Sequence, residues 1–83
     1  MSLENVTVYF HGAKWCSSCV QVKPKVEAVC AKFGAQFRYV DVDVEDPIVP
    51  NILSLPTLVV TRPGSEPLVM TTNEIGSLKG VLA

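Results

Sequence analysis

A strand-like run, Val6-Thr7-Val8-Tyr9-Phe10, passes into a helix-like run, Val20 to Phe33, through the segment Trp15-Cys16-Ser17-Ser18-Cys19. That handover narrows the open folds more than any other feature of the chain. It sets two cysteines three positions apart at a helix start, where free backbone N–H groups and the positive end of the helix dipole favour thiolate over thiol. Thiolate is the form that attacks a disulfide, and such positions lower a free-cysteine pKa of about 8.5 to roughly 3.5–7.5. The second cysteine, one turn along, lies close enough to bond with the first. The pair reads as a redox switch, with a metal site and two buried apolar cysteines as its rivals.

The remaining elements follow from periodicity. Residues 5–10 alternate and are β-branched or aromatic, so they predict a strand. Cys19, Val22, Val26, Val29, Cys30 and Phe33 recur at helical spacing and predict one amphipathic helix from about Ser17 to Phe33. Lys23, Lys25, Glu27 and Lys32 fall mostly elsewhere on it. Pro24 should kink this helix and Gly34 should end it. Gln36 to Val42 predicts a second strand with an acidic end. Asp46-Pro47 has the form of an N-cap with a first-turn proline and predicts a short helix to about Leu53, although Pro50 opposes it. Thr57 to Thr61 predicts a third strand, Pro63-Gly64 a tight turn, and Pro67 to Thr71 an antiparallel edge strand. Thr71-x-x-Glu74 is a capping-box pattern opening a last helix, with Ile75, Leu78, Val81 and Leu82 as its apolar stripe. The order is β-α-β-(α)-β-β-α, an α/β domain over residues 1–83. Strands joined through the long helix should be parallel, with a right-handed crossover.

A chain of 83 residues has room for one core, and 48% apolar residues can fill it. The net charge of −1 offers no electrostatic case for nucleic acid or for an anionic membrane. No leader peptide and no membrane-length apolar run is read in it. Three cysteines without a secretory signal point to a reducing cytosol, and the odd count argues against a disulfide-stapled scaffold. A zinc site needs four ligands, or three plus water, and only His11 and Cys30 are available as extras. Cys30 should stand about three helical turns from Cys19, roughly 16 Å along the axis, so no metal is expected. Cys30 reads as a core residue, with a regulatory or dimer-forming thiol as the alternative. His11 reads as a polar edge residue at the end of the first strand, the alternative being a part in tuning Cys16. Asp41, Asp43, Glu45 and Asp46 read as a solvated strand end and a helix cap.

The strand leading into Trp15-Cys16-x-x-Cys19, the proline five residues later (Pro24), and Leu55-Pro56-Thr57-Leu58 before a hairpin together resemble the thioredoxin family. The resemblance covers nearly the whole chain. It implies a minimal thioredoxin fold, a four-stranded mixed sheet with helices on both faces. It implies a protein-disulfide reductase in which Cys16 attacks as nucleophile and Cys19 resolves the mixed disulfide. Trp15, Leu55, a cis Pro56 and Thr57 would form the substrate-binding surface, the Leu55 backbone pairing with an extended target. No cofactor would be bound, the Cys16–Cys19 disulfide being itself the redox group. The implied partners are disulfide-containing proteins and, as electron donor, thioredoxin reductase or the glutathione system. A cytoplasmic monomer is expected, with no nucleic-acid or membrane partner.

The departures from the family bear on tuning. Ser17-Ser18 stands where thioredoxins usually carry Gly-Pro, which frees an N–H near the Cys16 sulfur. Together with Lys14, whose cation would favour a thiolate, these serines are the expected tuning residues. Phe10 occupies the place of the family's buried aspartate, leaving Asp41 and Asp43 on the next strand as substitutes. The N-terminal strand and helix of a full thioredoxin are missing. In length and start the chain is closer to glutaredoxins and to the small reductants that serve ribonucleotide reductase. A glutaredoxin-like, glutathione-linked reductase and a non-catalytic binding module are the alternative functions.

Overall fold

In the computed structural model, which describes residues 5–50, 52 and 54–83, the alternating apolar runs form strands β1 (Thr7–Gly12), β2 (Gln36–Asp41), β3 (Thr57–Thr61) and β4 (Leu68–Met70). They make one mixed sheet in the order β2-β1-β3-β4, the α/β class that the residue pattern predicts. β1 pairs parallel with β2 and antiparallel with β3, and β3 pairs antiparallel with β4. β1 runs two residues beyond the expected end at Phe10. Its added residue His11 is paired with Val40 on one side and Thr57 on the other. The expectation of a polar edge residue is therefore wrong: His11 is on a strand flanked on both sides, and its side chain is fully buried.

Helix α1 (Ser17–Phe33) keeps the expected bounds and passes through Pro24 without ending. Gly34 stops it with a positive φ of 74°, a conformation that needs no Cβ. The Ala35 N–H then reaches the Cys30 carbonyl and the Gly34 N–H the Ala31 carbonyl, a Schellman-type close.

The expected last helix divides into a 3-10 stretch (Thr72–Ser77) and a short α2 (Leu78–Leu82). Asn73, Gly76, Ser77 and Gly80 are weak helix formers, so a single long α-helix is disfavoured there. The capping signal at its start is real. The Glu74 carboxylate accepts from the Thr71 N–H (3.1 Å) and hydroxyl (2.9 Å). These bonds hold the Glu74 carboxyl below its ordinary pKa.

The four-stranded mixed sheet is as expected, but its helices are not on both faces. Instead α1 and α2 share one, because no helix forms among the described residues between β2 and β3. Val6, Val8, Phe10, Leu58, Val60 and Met70 from the strands meet Val26 and Cys30 of α1 and Leu78 and Leu82 of α2 in one apolar cluster. Fully burying side chains of this size contributes about 1.5–3 kcal/mol each. The Phe10 ring is closed in by Phe37 and Tyr39, with centroids 6.1 and 5.9 Å away.

The opposite face carries Tyr9, His11, Val40, Thr57 and Val59 by strand alternation. The helix expected over residues 46–53 does not form among the described residues, and Leu53, its expected end, lies outside them. With Asp46 as N-cap, Pro50 deletes the first intrahelical N–H and pushes Val49 out of the α region. Among the described residues, no helix is long and apolar enough to cross a membrane.

Candidate functional site

The turn between β1 and α1 is closed by the Cys16 N–H donating to the Ala13 carbonyl at 3.1 Å. Cys16 is then the N-cap of α1 in extended conformation, a position where serine, threonine or aspartate usually supplies an oxygen. Here the acceptor is sulfur: the Cys19 N–H donates to Cys16 Sγ at 3.2 Å. The same amide and the helix dipole would stabilise a Cys16 thiolate on reduction. Cys16 and Cys19 are joined as a disulfide, their Cα atoms 5.2 Å apart. Cys16 is 8% exposed and Cys19 2%, so the capping sulfur is the more accessible of the two.

Trp15 is 70% exposed yet oriented, because its indole N–H donates to Asp43 Oδ2 at 2.8 Å. This gives a role to a carboxylate that the sequence pattern assigned to a solvated strand end. The bond joins residues 28 apart, a distance that periodicity does not register. Trp15, Cys16 and Val42 form one wall of an open cleft of about 410 Å³, and Pro47, Ile52, Ser54 and Leu55 form the other.

The Leu55–Pro56 peptide bond is cis, and Pro56 is buried. Thr57 does not reach the cleft. It is buried in β3, and its hydroxyl donates to the Ser54 carbonyl at 2.6 Å. Of the expected binding residues the structure thus brings Trp15 and Leu55 to the cleft with Cys16, and places Pro56 and Thr57 beneath it.

A second cleft, about 490 Å³, lies on the far side of Cys19 against Ala13, Lys14, Val20, Lys23, Pro24 and Tyr39. Lys14 is exposed on this wall, on the Cys19 side rather than in the Cys16 cleft. Ser17 and Ser18 are exposed in the first turn of α1, and the amide that caps the Cys16 sulfur belongs to Cys19.

Gly12 permits the close packing behind the pair. A Cβ there would meet the Phe10 ring at 3.1 Å, the Tyr39 ring at 3.2 Å and Cys19 Cβ at 3.3 Å. Motif reading passed over Gly12, whose signal is its small size where a strand meets the cysteine turn.

The two carboxylates proposed in place of the family's buried aspartate are engaged elsewhere. Asp41 Oδ1 accepts from the Asp43 N–H at 3.0 Å, and Asp43 holds Trp15. Phe10 itself is in the apolar cluster with Cys19.

Cys30 is buried and unpaired, and burial, reinforced by Glu27, pushes its thiol above the ordinary range. That environment makes it a core residue and an inert thiol. Among the described residues, no group of three His, Cys, Asp or Glu side chains is arranged to hold a metal ion.

The chain matches the family model described as Thioredoxin over residues 2–80. No curated protein sequence is similar enough to count as a relative. Among solved structures, thioredoxin from Trypanosoma brucei brucei is 29% identical, with a TM-score of 0.77 over 96% of this chain and 74% of that one. Plasmodium falciparum thioredoxin is 26% identical, with a TM-score of 0.77 over 98% and 82%. Fasciola hepatica thioredoxin is 25% identical, with a TM-score of 0.79 over 98% and 80%.

Proposed function

The chain belongs to the thioredoxin family, and from that premise we propose that it reduces disulfides of target proteins by dithiol exchange. The Cys16 thiolate attacks one sulfur of the target disulfide. The target S–S bond breaks, a Cys16–target disulfide forms, and the departing target thiolate takes up a proton. Cys19, losing its proton, attacks Cys16 Sγ, closes the Cys16–Cys19 disulfide and expels the second target thiolate, which is protonated in turn. The target gains two electrons and two protons. The chain supplies both electrons and the Cys19 proton, and the other proton is the one released to solvent when the Cys16 thiol ionised. Trp15 and Leu55 flank the attacking sulfur, with the Leu55 backbone available to an extended segment of target.

The carrying observation is the Cys16–Cys19 disulfide at the start of α1, whose Cys16 caps the helix and lines the cleft with Trp15 and Leu55. A reductase drawing on NADPH, or glutathione, would restore the dithiol. A reducing cytosol and a monomeric state complete the reading, supported by the unpaired, buried Cys30.

Insulin reduction with dithiothreitol tests it. Wild type should accelerate the reaction and Cys16→Ser should leave it at background; equal rates would end the catalytic reading. Cys19→Ser should trap mixed disulfides through Cys16, and adducts found only on Cys30 would overturn the nucleophile assignment. A potential near the low end of the range from about −270 to −120 mV would support a reductant, and one near the high end an oxidant.

A further inference from the structure

The proposed exchange makes no use of His11, the one histidine in the chain, although its ring is fully buried and bonded at both nitrogens. The Ile48 N–H donates to Nε2 at 3.0 Å. A backbone amide can only donate, so Nε2 carries a lone pair and the ring proton is on Nδ1. That proton faces the Thr57 carbonyl at 3.3 Å. The ring therefore ties three segments together: β1, the start of β3 immediately after Pro56, and the stretch around Ile48 where no helix supplies an acceptor.

These attachments bracket the cleft. Pro47, next to Ile48, and Ser54 and Leu55, just before Pro56-Thr57, form its far wall. Its near wall, Trp15 and Cys16, follows His11 through Gly12, Ala13 and Lys14 on the same strand and turn. One side chain thus sets how far the attacking sulfur stands from both parts of the opposing wall. A protein disulfide, which must lay a stretch of backbone across that wall, needs the spacing. A small disulfide needs only the sulfur.

We propose that His11 is a positioning residue for protein-disulfide exchange, its ring holding the Pro47 and Leu55 wall at the distance from Cys16 that an extended peptide requires. The proposal rests on the function proposed above.

Protonation should release the wall, since an Nε2–H would oppose the Ile48 N–H instead of accepting from it. The titratable groups near the ring on this face are Tyr9 on β1, Arg38 opposite Tyr9 on β2, and Glu45 from the segment before Ile48. From β3 the ring is faced by Thr57, which does not titrate. Burial outweighs the pull of the Thr57 and Tyr9 carbonyls and of Glu45, and holds the ring below its ordinary pKa. The neutral, accepting form is accordingly the resting one near neutrality.

The test compares wild type with His11→Phe, which fills the volume without either bond, and His11→Gln, which can return an acceptor toward Ile48. For each, KM and kcat are measured with insulin and with 5,5′-dithiobis(2-nitrobenzoate) as a small disulfide. His11→Phe should raise KM for insulin about tenfold, the scale of one lost hydrogen bond. Its kcat for insulin and its rate with the small disulfide should stay within about twofold, a change too small to mark a lost hydrogen bond. His11→Gln should recover part of the difference. In wild type, KM for insulin should rise as pH falls through the ring's own pKa, which lies below the ordinary imidazole value of about 6.5. An unchanged KM, or equal losses with both disulfides, would overturn the proposal. If His11→Phe does not fold, His11→Gln and the wild-type pH profile still decide. Nitrogen NMR of the wild-type ring is independent of activity: a proton on Nε2 would overturn the positioning role alone. Absence of exchange with either disulfide by wild type would instead overturn the function on which it rests.

Discussion

The two faces of the sheet are held by different physics. On the helix face, Val8, Phe10, Leu58 and Val60 meet α1 and α2 across a continuous apolar cluster in which each contact is non-directional. On the other face, no helix forms among the described residues between β2 and β3, and directional bonds help hold that segment. The Ile48 N–H reaches His11, and the Thr57 hydroxyl reaches Ser54. Helices fix one side by buried area, while on the side that forms the far wall of the cysteine cleft buried Val40 and Val59 are supplemented by a few directional bonds between named atoms. A wall held in that way can be adjusted, or lost, one bond at a time.

The contrast is tested most severely at Phe10. Phe10→Ala should cost about 3–5 kcal/mol in urea denaturation, a large fraction of the roughly 5–15 kcal/mol that holds a small domain. A loss smaller than that of His11→Phe would invert the comparison. Gly12→Ala, on the same packed side, should cost about 1–3 kcal/mol, because the Phe10 and Tyr39 rings and Cys19 Cβ must all shift. A neutral result in thermal melts would show that the packing behind Cys19 gives way more easily than its distances imply.

The faces should also respond to opposite ends of the pH scale. His11 is held below its ordinary pKa, so near pH 6 the unfolded chain binds more protons than the folded one. Its contribution is complete above about pH 6.5 and falls as pH drops through that value toward the folded pKa. Cys30 on the helix face is held above its ordinary pKa, so the unfolded chain ionises first. Its contribution is complete below the ordinary thiol pKa and falls as pH rises above it. Denaturation midpoints measured across pH should lose the acid slope in His11→Phe and the alkaline slope in Cys30→Ala. Exchange of those assignments would refute the two-face account.

The smallest effect is expected at Asp43→Ala. Exposed polar pairs contribute up to about 1 kcal/mol, so stability should scarcely move. Trp15 fluorescence should nonetheless report a freer indole, and unchanged anisotropy would mean that Asp43 does not orient it.

Much of this molecule was legible from residue pattern. The α1 bounds, the four strands, the antiparallel β4 and the Glu74 capping signal all follow from spacing that local physics enforces. The short helix after Asp46 was misread because a cap signal was weighed above the donor that Pro50 removes. His11 was misread because an edge and a central strand have the same local sequence, and only β2 and β3 arriving from elsewhere distinguish them. Gly12 and Asp43 escaped notice for a related reason: their partners are distant in the chain.

By itself, the sequence determined the pair Cys16 and Cys19 at the start of a helix and the strands on either side. Their residue types and intervals act over a few neighbours, and local backbone physics is enough to place them. Only the tertiary structure decided what stands opposite the reactive sulfur. The cleft wall, the Trp15–Asp43 bond and the buried His11 ring each join segments far apart in the chain, and such meetings exist only once the sheet has formed.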